Sequence, residues 1–320
     1  MTRILITGGC GFIGSNLTEF IISNTDWEVN VLDNLSTGSL ENIKSIENYE
    51  ERVTFFKGSM LNEGDITQSL HQCDYVVNLA AQTSVLNSIK DPFEDQRQNI
   101  IGLLKLLKKS SEFKIKKIVQ GSSAAVMGKQ TMPIHELKVP QPISPYGASK
   151  LAGEAYCSVF ANVYDLDCVV LRFSNVYGPK STNKTSVIAK FIKRILQGEL
   201  IEIYGEGDQT RDFLYVFDLC EGIYNALIYN TGKFELFQLG TGKQTTINSL
   251  VDLLMKISEK HNLRVPQIKK TSPKSGEIIQ SYTDISKATR DLDFHNKYSL
   301  EKGLNDTFTW FISNYQEYRS

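Results

Sequence analysis

Short apolar runs alternate with helical patterns over the first 174 residues, and this alternation restricts the possible folds more than any other feature. Predicted strands cover residues 4–7, 28–33, 53–57, 75–79, 117–120 and 168–172. Between them, apolar residues at helical spacing predict helices over 14–24, 99–110 and 147–163. Strands separated by helices pair in parallel, with helices on both faces of the sheet. We therefore predict an α/β fold built on a doubly wound parallel sheet.

The regular alternation of strand and helix patterns ends after residue 174. Longer polar loops occupy 179–186 and 205–211, and helices are predicted over 186–197, 217–229, 247–261 and 300–315. This pattern predicts a smaller α+β portion over residues 175–320, beside a sheet domain of residues 1–174. No internal repeat or linker separates the two portions, so we expect one body, with some later segments packing back on the sheet.

Composition and charge exclude several classes of protein. Hydrophobic residues make up 41% and charged residues 22% of the 320 residues, as in ordinary globular proteins. A net charge of −1 indicates neither nucleic acid nor an anionic membrane as a partner. No apolar run reaches the roughly 18 residues of a membrane span, and we expect no signal peptide. The five cysteines form no CxxC pair and the four histidines are scattered along the chain. We therefore expect no disulfide, no metal site and a cytoplasmic location.

A glycine-rich loop follows the first predicted strand and opens the first helix. Gly8, Gly11 and Gly14 let the backbone approach a diphosphate, whose charge the helix N-terminus stabilises. Taken alone, the loop also fits an ordinary turn between strand and helix. Asp33 ends the second strand 19 residues after Gly14, where a carboxylate binds the adenosine ribose and repels a 2′-phosphate. With no arginine in 34–38, the pattern predicts a Rossmann sheet that binds NAD rather than NADP.

Tyr146 and Lys150 form the candidate reactive pair. They lie four residues apart, behind a predicted N-cap at Ser144 and a proline at the first helical position, and so share one helix face. A lysine ammonium near a phenol lowers its pKa from about 10, which lets the tyrosine act as a base. Ser123 precedes Tyr146 by 23 residues and could hydrogen-bond the same substrate oxygen. Without the glycine loop, a packed tyrosine beside a solvated lysine would be the better interpretation.

These motifs together resemble the NAD-dependent sugar epimerase/dehydratase family of extended short-chain dehydrogenase/reductases, in particular UDP-glucose and UDP-N-acetylglucosamine 4-epimerases. The resemblance covers nearly the whole chain, and its markers are residues 7–14, 32–34, 78–82, 122–126, 144–150, 172–179 and 205–218. It implies an enzyme acting on a nucleotide-linked sugar, with NAD as cofactor, in the supply of precursors for polysaccharide biosynthesis. Relatives commonly dimerise through the helices at 99–110 and 147–163, so a homodimer is expected.

The resemblance also implies the site residues, of which the catalytic set is Ser123, Tyr146 and Lys150. The cofactor set is Gly8, Gly11, Phe12, Ile13, Asp33, Asn34, Ser36, Gly38, Ser59, Met60, Leu79, Ala80, Ala81, Asn99, Ser122, Tyr146, Lys150 and Phe173. The substrate set is Thr83, Ser123, Tyr146, Asn175, Val187, Tyr204, Arg211, Lys274 and Ser281. Within these sets, Asn175 and Arg211 would bind the diphosphate, and Val187 and Tyr204 would line the nucleobase pocket. Asn99 would organise active-site hydrogen bonds, and a helix N-cap is its alternative or concurrent role.

Differences from the family pattern favour one branch. Dehydratases of the family carry an Asp-Glu pair just after the catalytic hydroxyl residue, whereas this chain has Ala124 and Ala125, which transfer no proton. The resemblance therefore implies a 4-epimerase of a nucleotide-linked sugar, with UDP-N-acetylglucosamine and/or UDP-glucose expected, that works through transient oxidation at C4. A UDP-uronic acid epimerase or decarboxylase, a nucleotide-sugar oxidoreductase and a non-catalytic NAD-binding regulator remain as alternatives.

Four positions depart from the family pattern or vary within it. Ser59 stands where an aspartate usually holds the adenine, Met127 replaces a tyrosine, and Lys274 replaces a phosphate-binding arginine. Near the C-terminus, some 4-epimerases carry a tyrosine that closes the pocket beside the sugar's C2 substituent, and here that position is Ser281. A small residue there predicts room for an N-acetyl group, unless the alignment slips by one residue onto Tyr282.

Overall fold

The computed structural model describes residues 1–230, 232–263, 266–273 and 279–314. Its strands are β1 (Arg3–Thr7), β2 (Glu28–Asp33), β3 (Val53–Lys57), β4 (Tyr75–Asn78), β5 (Lys117–Ser123), β6 (Asp167–Phe173), β7 (Asn175–Tyr177), β8 (Ile201–Tyr204), β9 (Thr210–Arg211), β10 (Phe213–Tyr215), β11 (Phe234–Leu239), β12 (Thr245–Thr246) and β13 (Ile268–Thr271). Seven of these strands form one sheet in the order β11-β6-β5-β4-β1-β2-β3, and every neighbouring pair is parallel.

Helices connect these strands. They are α1 (Phe12–Asn24), α2 (Glu41–Lys44), α3 (Tyr49–Arg52), α4 (Glu63–Ser69), α5 (Val85–Lys90), α6 (Pro92–Gln96), α7 (Gly102–Glu112), α8 (Pro145–Val163), α9 (Val187–Gln197), α10 (Val216–Ile228), α11 (Ile247–Lys260), α12 (Ser286–Leu292) and α13 (Leu300–Ser313). Along β1, Ile4 and Ile6 belong to one buried apolar cluster and Leu5 belongs to another. Because successive strand side chains point to opposite faces, both faces of the sheet are covered. The predicted doubly wound α/β fold is confirmed.

The six predicted strands are all present, but a seventh was missed. Strand β11 pairs in parallel with β6 at the edge of the sheet, with Phe234 opposite Cys168 and Leu239 opposite Phe173. Glu235 and Gln238 interrupt its apolar pattern, which hid it in the sequence. Strand β5 also runs to Ser123 rather than ending at residue 120, so Ser123 lies on the last strand position.

The helix that was expected to begin at Asn99 begins earlier. Asp91 caps α6 by accepting a hydrogen bond from the backbone N–H of Glu94 (3.0 Å), and Pro92 fills the first helical position. A π-helical turn, Arg97–Ile101, then joins α6 to α7. Asn99 therefore lies inside a helix, and the prediction that it is an N-cap is wrong.

The residues after 174 occupy two places. Strand β11 extends the main sheet, while β7 with β10, β9 with β12, and β8 with β13 form three small two-stranded sheets. Two later helices also pack on the main sheet, α10 against β5 and β6, and α12 against β11. The domain division at residue 174 stays a prediction. No helix in the described part of the chain has both the length and the apolar character to cross a bilayer.

Asp212 ties the small sheets to the main one. The fully buried carboxylate follows Arg211 of β9 and accepts hydrogen bonds from the backbone and hydroxyl of Thr241 (2.8 and 2.7 Å), just after β11. It also accepts from the N–H of Gly242 (3.2 Å) and from the backbone and hydroxyl of Thr283 (3.2 and 2.9 Å). Arg211 is thereby held in register with the edge of the seven-stranded sheet.

Candidate active site

The glycine loop between β1 and α1 lies against the end of β4. Gly8 has φ +69°, and a Cβ there would lie 2.8 Å from the backbone nitrogen of Ala80, so a larger residue would both strain the turn and collide. At Gly14 a Cβ would collide with the Gly8 carbonyl oxygen. Helix α1 has no acidic residue in its first turn. The loop therefore presents backbone N–H groups and the positive end of the helix dipole.

A cavity of about 350 Å³ opens beside this loop. Twelve residues of the predicted cofactor set line it, namely Gly8, Gly11, Phe12, Ile13, Asp33, Asn34, Ser36, Ser59, Met60, Leu79, Ala80 and Ala81. Thr83, predicted to contact substrate, lines this cavity as well. Gly38 packs behind the lining, where a Cβ would lie 2.7 Å from the carbonyl of Cys10. Gln82, Lys180, Asn183 and Lys184 also line the cavity and were missed from the sequence.

Asp33 links the end of β2 to the glycine loop. Its carboxylate accepts hydrogen bonds from the backbone N–H groups of Cys10 (3.0 Å) and Leu35 (2.8 Å). Burial raises the pKa of Asp33, and these two hydrogen bonds lower it. The group lies at the cavity wall in the position that a ribose-binding acid takes in a Rossmann sheet, so the cavity fits an adenine dinucleotide.

A second cavity, of about 700 Å³, lies on the smaller sheets. Four residues of the predicted substrate set line it together: Asn175, Val187, Tyr204 and Arg211. The Lys190 ammonium lies 5.5 Å from the centre of the Tyr204 ring. Ser281 is half-buried. Its neighbours Ile279 and Tyr282 accept backbone hydrogen bonds from Thr210 and Ile134. Ser281 itself lines neither cavity. Lys274 lies outside the described residues.

Helix α8 carries the tyrosine and the lysine as predicted. Ser144 caps it by accepting from the N–H of Gly147 (3.1 Å), and Pro145 begins it. Tyr146 and Lys150 are only 9% and 8% exposed. Ser123 at the end of β5 accepts from the N–H of Ala125 (3.1 Å), and its hydroxyl also interacts with the Tyr146 phenol.

The protonation of the pair differs from the sequence prediction. Burial raises the pKa of Tyr146 to about 12, although the Ser123 hydroxyl opposes the change, and Asp95 adds to it. Burial lowers the pKa of Lys150 to about 8. Desolvation of the phenolate is thus the largest influence on Tyr146, the Ser123 hydroxyl is the group that opposes it, and the role of Lys150 toward the phenol stays a prediction.

Asn99 braces the site from the π-helical turn. Its side chain accepts from the N–H of Gln82 (2.8 Å) and donates to the Gln82 carbonyl (3.0 Å), the Asp95 carboxylate (3.1 Å) and the Ser149 hydroxyl (3.1 Å). Gln82 lines the first cavity, and Ser149 lies on α8 between Tyr146 and Lys150. Asn99 thus connects the cavity wall to the catalytic helix. Asp95 was missed, although its four-residue spacing from Asn99 is that of one helical turn.

A buried ion pair lies one turn beyond Lys150. Arg172 donates to both carboxylate oxygens of Glu154 (2.9 and 2.6 Å), and the Ser122 hydroxyl donates to the same group (2.6 Å). Ser122 was predicted to contact the cofactor, and its side chain is buried against Glu154. Phe173, also predicted to contact the cofactor, pairs in register with Ser123. The ion pair therefore braces α8 against the ends of β5 and β6.

A parallel doubly wound sheet, a glycine loop at its carboxyl edge and a buried Ser-Tyr-Lys set define the short-chain dehydrogenase/reductase class. A family model described as GDP-mannose 4,6 dehydratase matches residues 5–307, and the chain belongs to that family, a branch of the extended short-chain dehydrogenase/reductases.

Several solved structures similar to this chain are described as 4-epimerases of nucleotide sugars, and one is a dTDP-glucose 4,6-dehydratase of Streptomyces venezuelae. UDP-glucose 4-epimerase of Thermotoga maritima, solved with UDP-glucose, is 37% identical, with TM-score 0.88 and coverage of 98% of this chain and 100% of that one. UDP-N-acetylglucosamine 4-epimerase of Methanobrevibacter ruminantium, in complex with UDP-N-acetylmuramic acid, is 34% identical (TM-score 0.90, 98% and 99% covered). UDP-glucuronic acid 4-epimerase of Bacillus cereus, with UDP-glucuronic acid and NAD, is 30% identical (TM-score 0.89, 98% and 100% covered).

Proposed function

We propose that this chain is an NAD-dependent 4-epimerase of a UDP-linked sugar, with UDP-N-acetylglucosamine and UDP-glucose as its substrates. The observation that carries the proposal is the buried set of Ser123, Tyr146 and Lys150 in a chain that also has two large cavities. The first cavity fits NAD and the second fits a nucleotide diphosphate. The similar solved enzymes, which act on UDP-sugars at C4, support the same assignment.

In the proposed cycle, Tyr146 takes the proton from the C4 hydroxyl while Ser123 holds that oxygen. Tyr146 accepts this proton as the phenolate, which Lys150 stabilises before the transfer, and Lys150 also binds the nicotinamide ribose. Bound NAD would supply the redox chemistry, accepting the C4 hydride and returning it to the other face of the sugar. Asn175 and Arg211 keep the diphosphate anchored while the 4-keto sugar turns over.

The two alanines after Ser123 favour epimerisation over dehydration. Ala124 and Ala125 lie half-buried in the short turn that follows β5. Neither side chain carries a proton, so the site lacks the acid and base that removal of water needs next to Ser123. Epimerisation needs only the Ser-Tyr-Lys set and a hydride that leaves and returns.

Incubation with UDP-glucose, UDP-N-acetylglucosamine and UDP-glucuronic acid, followed by separation of the products, tests the proposal. We expect the C4 epimer without accumulation of NADH. Loss of water, release of carbon dioxide or stoichiometric NADH would each contradict it, and would assign the chain to a dehydratase, a decarboxylase or an oxidoreductase respectively.

Cofactor choice is the first specific prediction. We expect NAD to bind more tightly than NADP, because the Asp33 carboxylate both repels a 2′-phosphate and gains ribose hydrogen bonds. Calorimetry with both dinucleotides on the purified protein measures the difference. Asp33→Asn should reduce the discrimination, and equal binding of NADP by the unaltered chain would show that Asp33 does not face the ribose.

Substrate size is the second specific prediction. Ser281 lines neither cavity, so this prediction rests on the resemblance to 4-epimerases alone: Ser281→Tyr should selectively abolish activity on UDP-N-acetylglucosamine, because a ring in the space of the acetamido group would spare the C2 hydroxyl of UDP-glucose. Ser281→Ala is the matched control and should leave both activities unchanged. Parallel assays of the two substrates decide the point. Equal loss of both activities, or of neither, would mean that Ser281 does not set the pocket size.

We also propose a homodimer formed through the helices at 99–110 and 147–163. Tyr156, Val159 and Val163 expose apolar surface on α8, and Ile101 and Phe113 do so at the ends of α7. Exposed apolar side chains on two helices that pack against each other favour an interface. The UDP-sugar is the proposed small-molecule partner of the same chain.

A further inference from the structure

Lys184 lines both cavities, the one beside the glycine loop and the one on the smaller sheets. It belongs to the segment between β7 and α9, which the backbone holds at several points. The Lys184 N–H donates to the Ser181 carbonyl (3.0 Å), and its own carbonyl accepts from the Lys193 ammonium (3.2 Å). Beside it, Asn183 donates to the Thr37 carbonyl (2.7 Å). Lys184 is thus fixed at the junction of the two cavities.

The charge of Lys184 is not neutralised within the described part of the chain. Lys180, four residues earlier, pairs with Glu19 at 2.6 Å, whereas Lys184 forms no ion pair with a described carboxylate. Burial lowers the pKa of Lys184, and its charge lowers that of Lys150. The charge of half-buried Lys184 near that of buried Lys150 raises the free energy of the site unless an anion lies between them or beside them. The junction is therefore suited to an anionic ligand.

The chemistry of the two cavities indicates which anion that is. The first has the N-terminus of α1 and no acidic residue in its first turn, which suits a diphosphate. The second is lined by the four cations Lys190, Lys193, Arg194 and Arg211 and by the two carboxylates Glu199 and Glu202, of which Glu202 pairs with Arg194 (3.2 Å). Two diphosphate-bearing ligands would approach each other at Lys184, and an ammonium there can donate to either.

We propose that Lys184 is a diphosphate-binding residue at the junction of the cofactor and substrate cavities. The inference rests on the proposed function, since it requires a dinucleotide and a nucleotide sugar as the two ligands. The recognised chemistry is the same from both sources, namely phosphate oxygens that accept hydrogen bonds from a half-buried ammonium. Lys184 thereby adds an anchor that the sequence motifs did not reveal.

The test is calorimetric titration of UDP and, separately, of NAD into the unaltered protein, Lys184→Met and Lys184→Arg. We expect Lys184→Met to weaken at least one of the two dissociation constants by about tenfold or more, as for loss of a charge-assisted hydrogen bond. Lys184→Arg should keep most of the affinity because it keeps the charge. Weakened UDP binding assigns the nucleotide sugar, weakened NAD binding assigns the cofactor, and weakening of both assigns a shared contact.

A matched control separates a local effect from a change in overall charge. Lys269 is exposed on β13 and lines neither cavity, so Lys269→Met should bind both ligands normally. The proposal is overturned if folded Lys184→Met binds UDP and NAD within twofold of the unaltered protein, or if Lys269→Met loses as much affinity. It is also overturned if only turnover of UDP-glucuronic acid falls, since the ligand would then be a carboxylate. Unaltered protein that binds neither UDP nor NAD would contradict the proposed function itself.

Discussion

Replacing Tyr146 with phenylalanine is expected to lower kcat by on the order of 10² to 10⁴, because the ring keeps its packing while the proton acceptor is lost. NAD should still bind, since the glycine loop and Asp33 are untouched. Steady-state kinetics on the accepted UDP-sugar, together with NAD titration of the variant, measure both results. The loss should appear in kcat more than in KM, as for a group that acts in the transition state.

Tyr156 offers a control on the same helix. It is exposed on α8 and lines neither cavity, so Tyr156→Phe should leave kcat unchanged. Near-normal turnover by pure Tyr146→Phe would show that another group accepts the proton.

Arg172→Met should lower the free energy of unfolding by about 3–5 kcal/mol, since it leaves the Glu154 carboxylate buried and unpaired. The two side chains are only 3% and 4% exposed, so water cannot replace the lost partner. Chemical denaturation followed by circular dichroism measures the change. Activity should fall as well, because the pair braces α8 against the strand that ends in Ser123.

A double replacement tests the cause. Glu154→Leu combined with Arg172→Met removes both charges and should recover much of the lost stability. The exposed pair of Lys260 and Glu301 (3.2 Å) is the control, and Lys260→Met should change the unfolding free energy by no more than about 0.5 kcal/mol. If Arg172→Met unfolds at the same denaturant concentration as the unaltered protein, the pair contributes no net stability.

Most of what could be predicted about the fold and the site came from patterns among residues close together in the sequence. The strand-loop-helix order around Gly8 and the 19-residue spacing from Gly14 to Asp33 predicted a dinucleotide site. Both segments line the first cavity, which forms where parallel strands pair. The four-residue spacing of Tyr146 and Lys150 likewise predicted their shared helix, because helical geometry depends only on nearby residues.

What the sequence left open depends on contacts distant in the chain. Strand β11 was missed because its pairing with β6 joins residues more than sixty positions apart and its pattern is interrupted by Glu235 and Gln238. The pKa of Tyr146 depends on burial by several elements, which a spacing does not contain. Lys184 had no signal of its own, since its importance arises only where two cavities meet.

The carboxylate of Asp212 fixes the position of the proposed diphosphate-binding residue Arg211 relative to the main sheet. Three hydrogen bonds fasten the strand of Arg211 to the residues that follow β11, at the edge of the sheet whose β5 carries Ser123, and two more join it to Thr283. A swing of one portion against the other would have to break them. The proposed cycle nevertheless requires C4 to present both faces to one hydride donor. The rotation that presents both faces of the sugar must therefore occur about bonds of the substrate's own diphosphate linkage. Arg211 and Ser123 would keep their positions on either side of it.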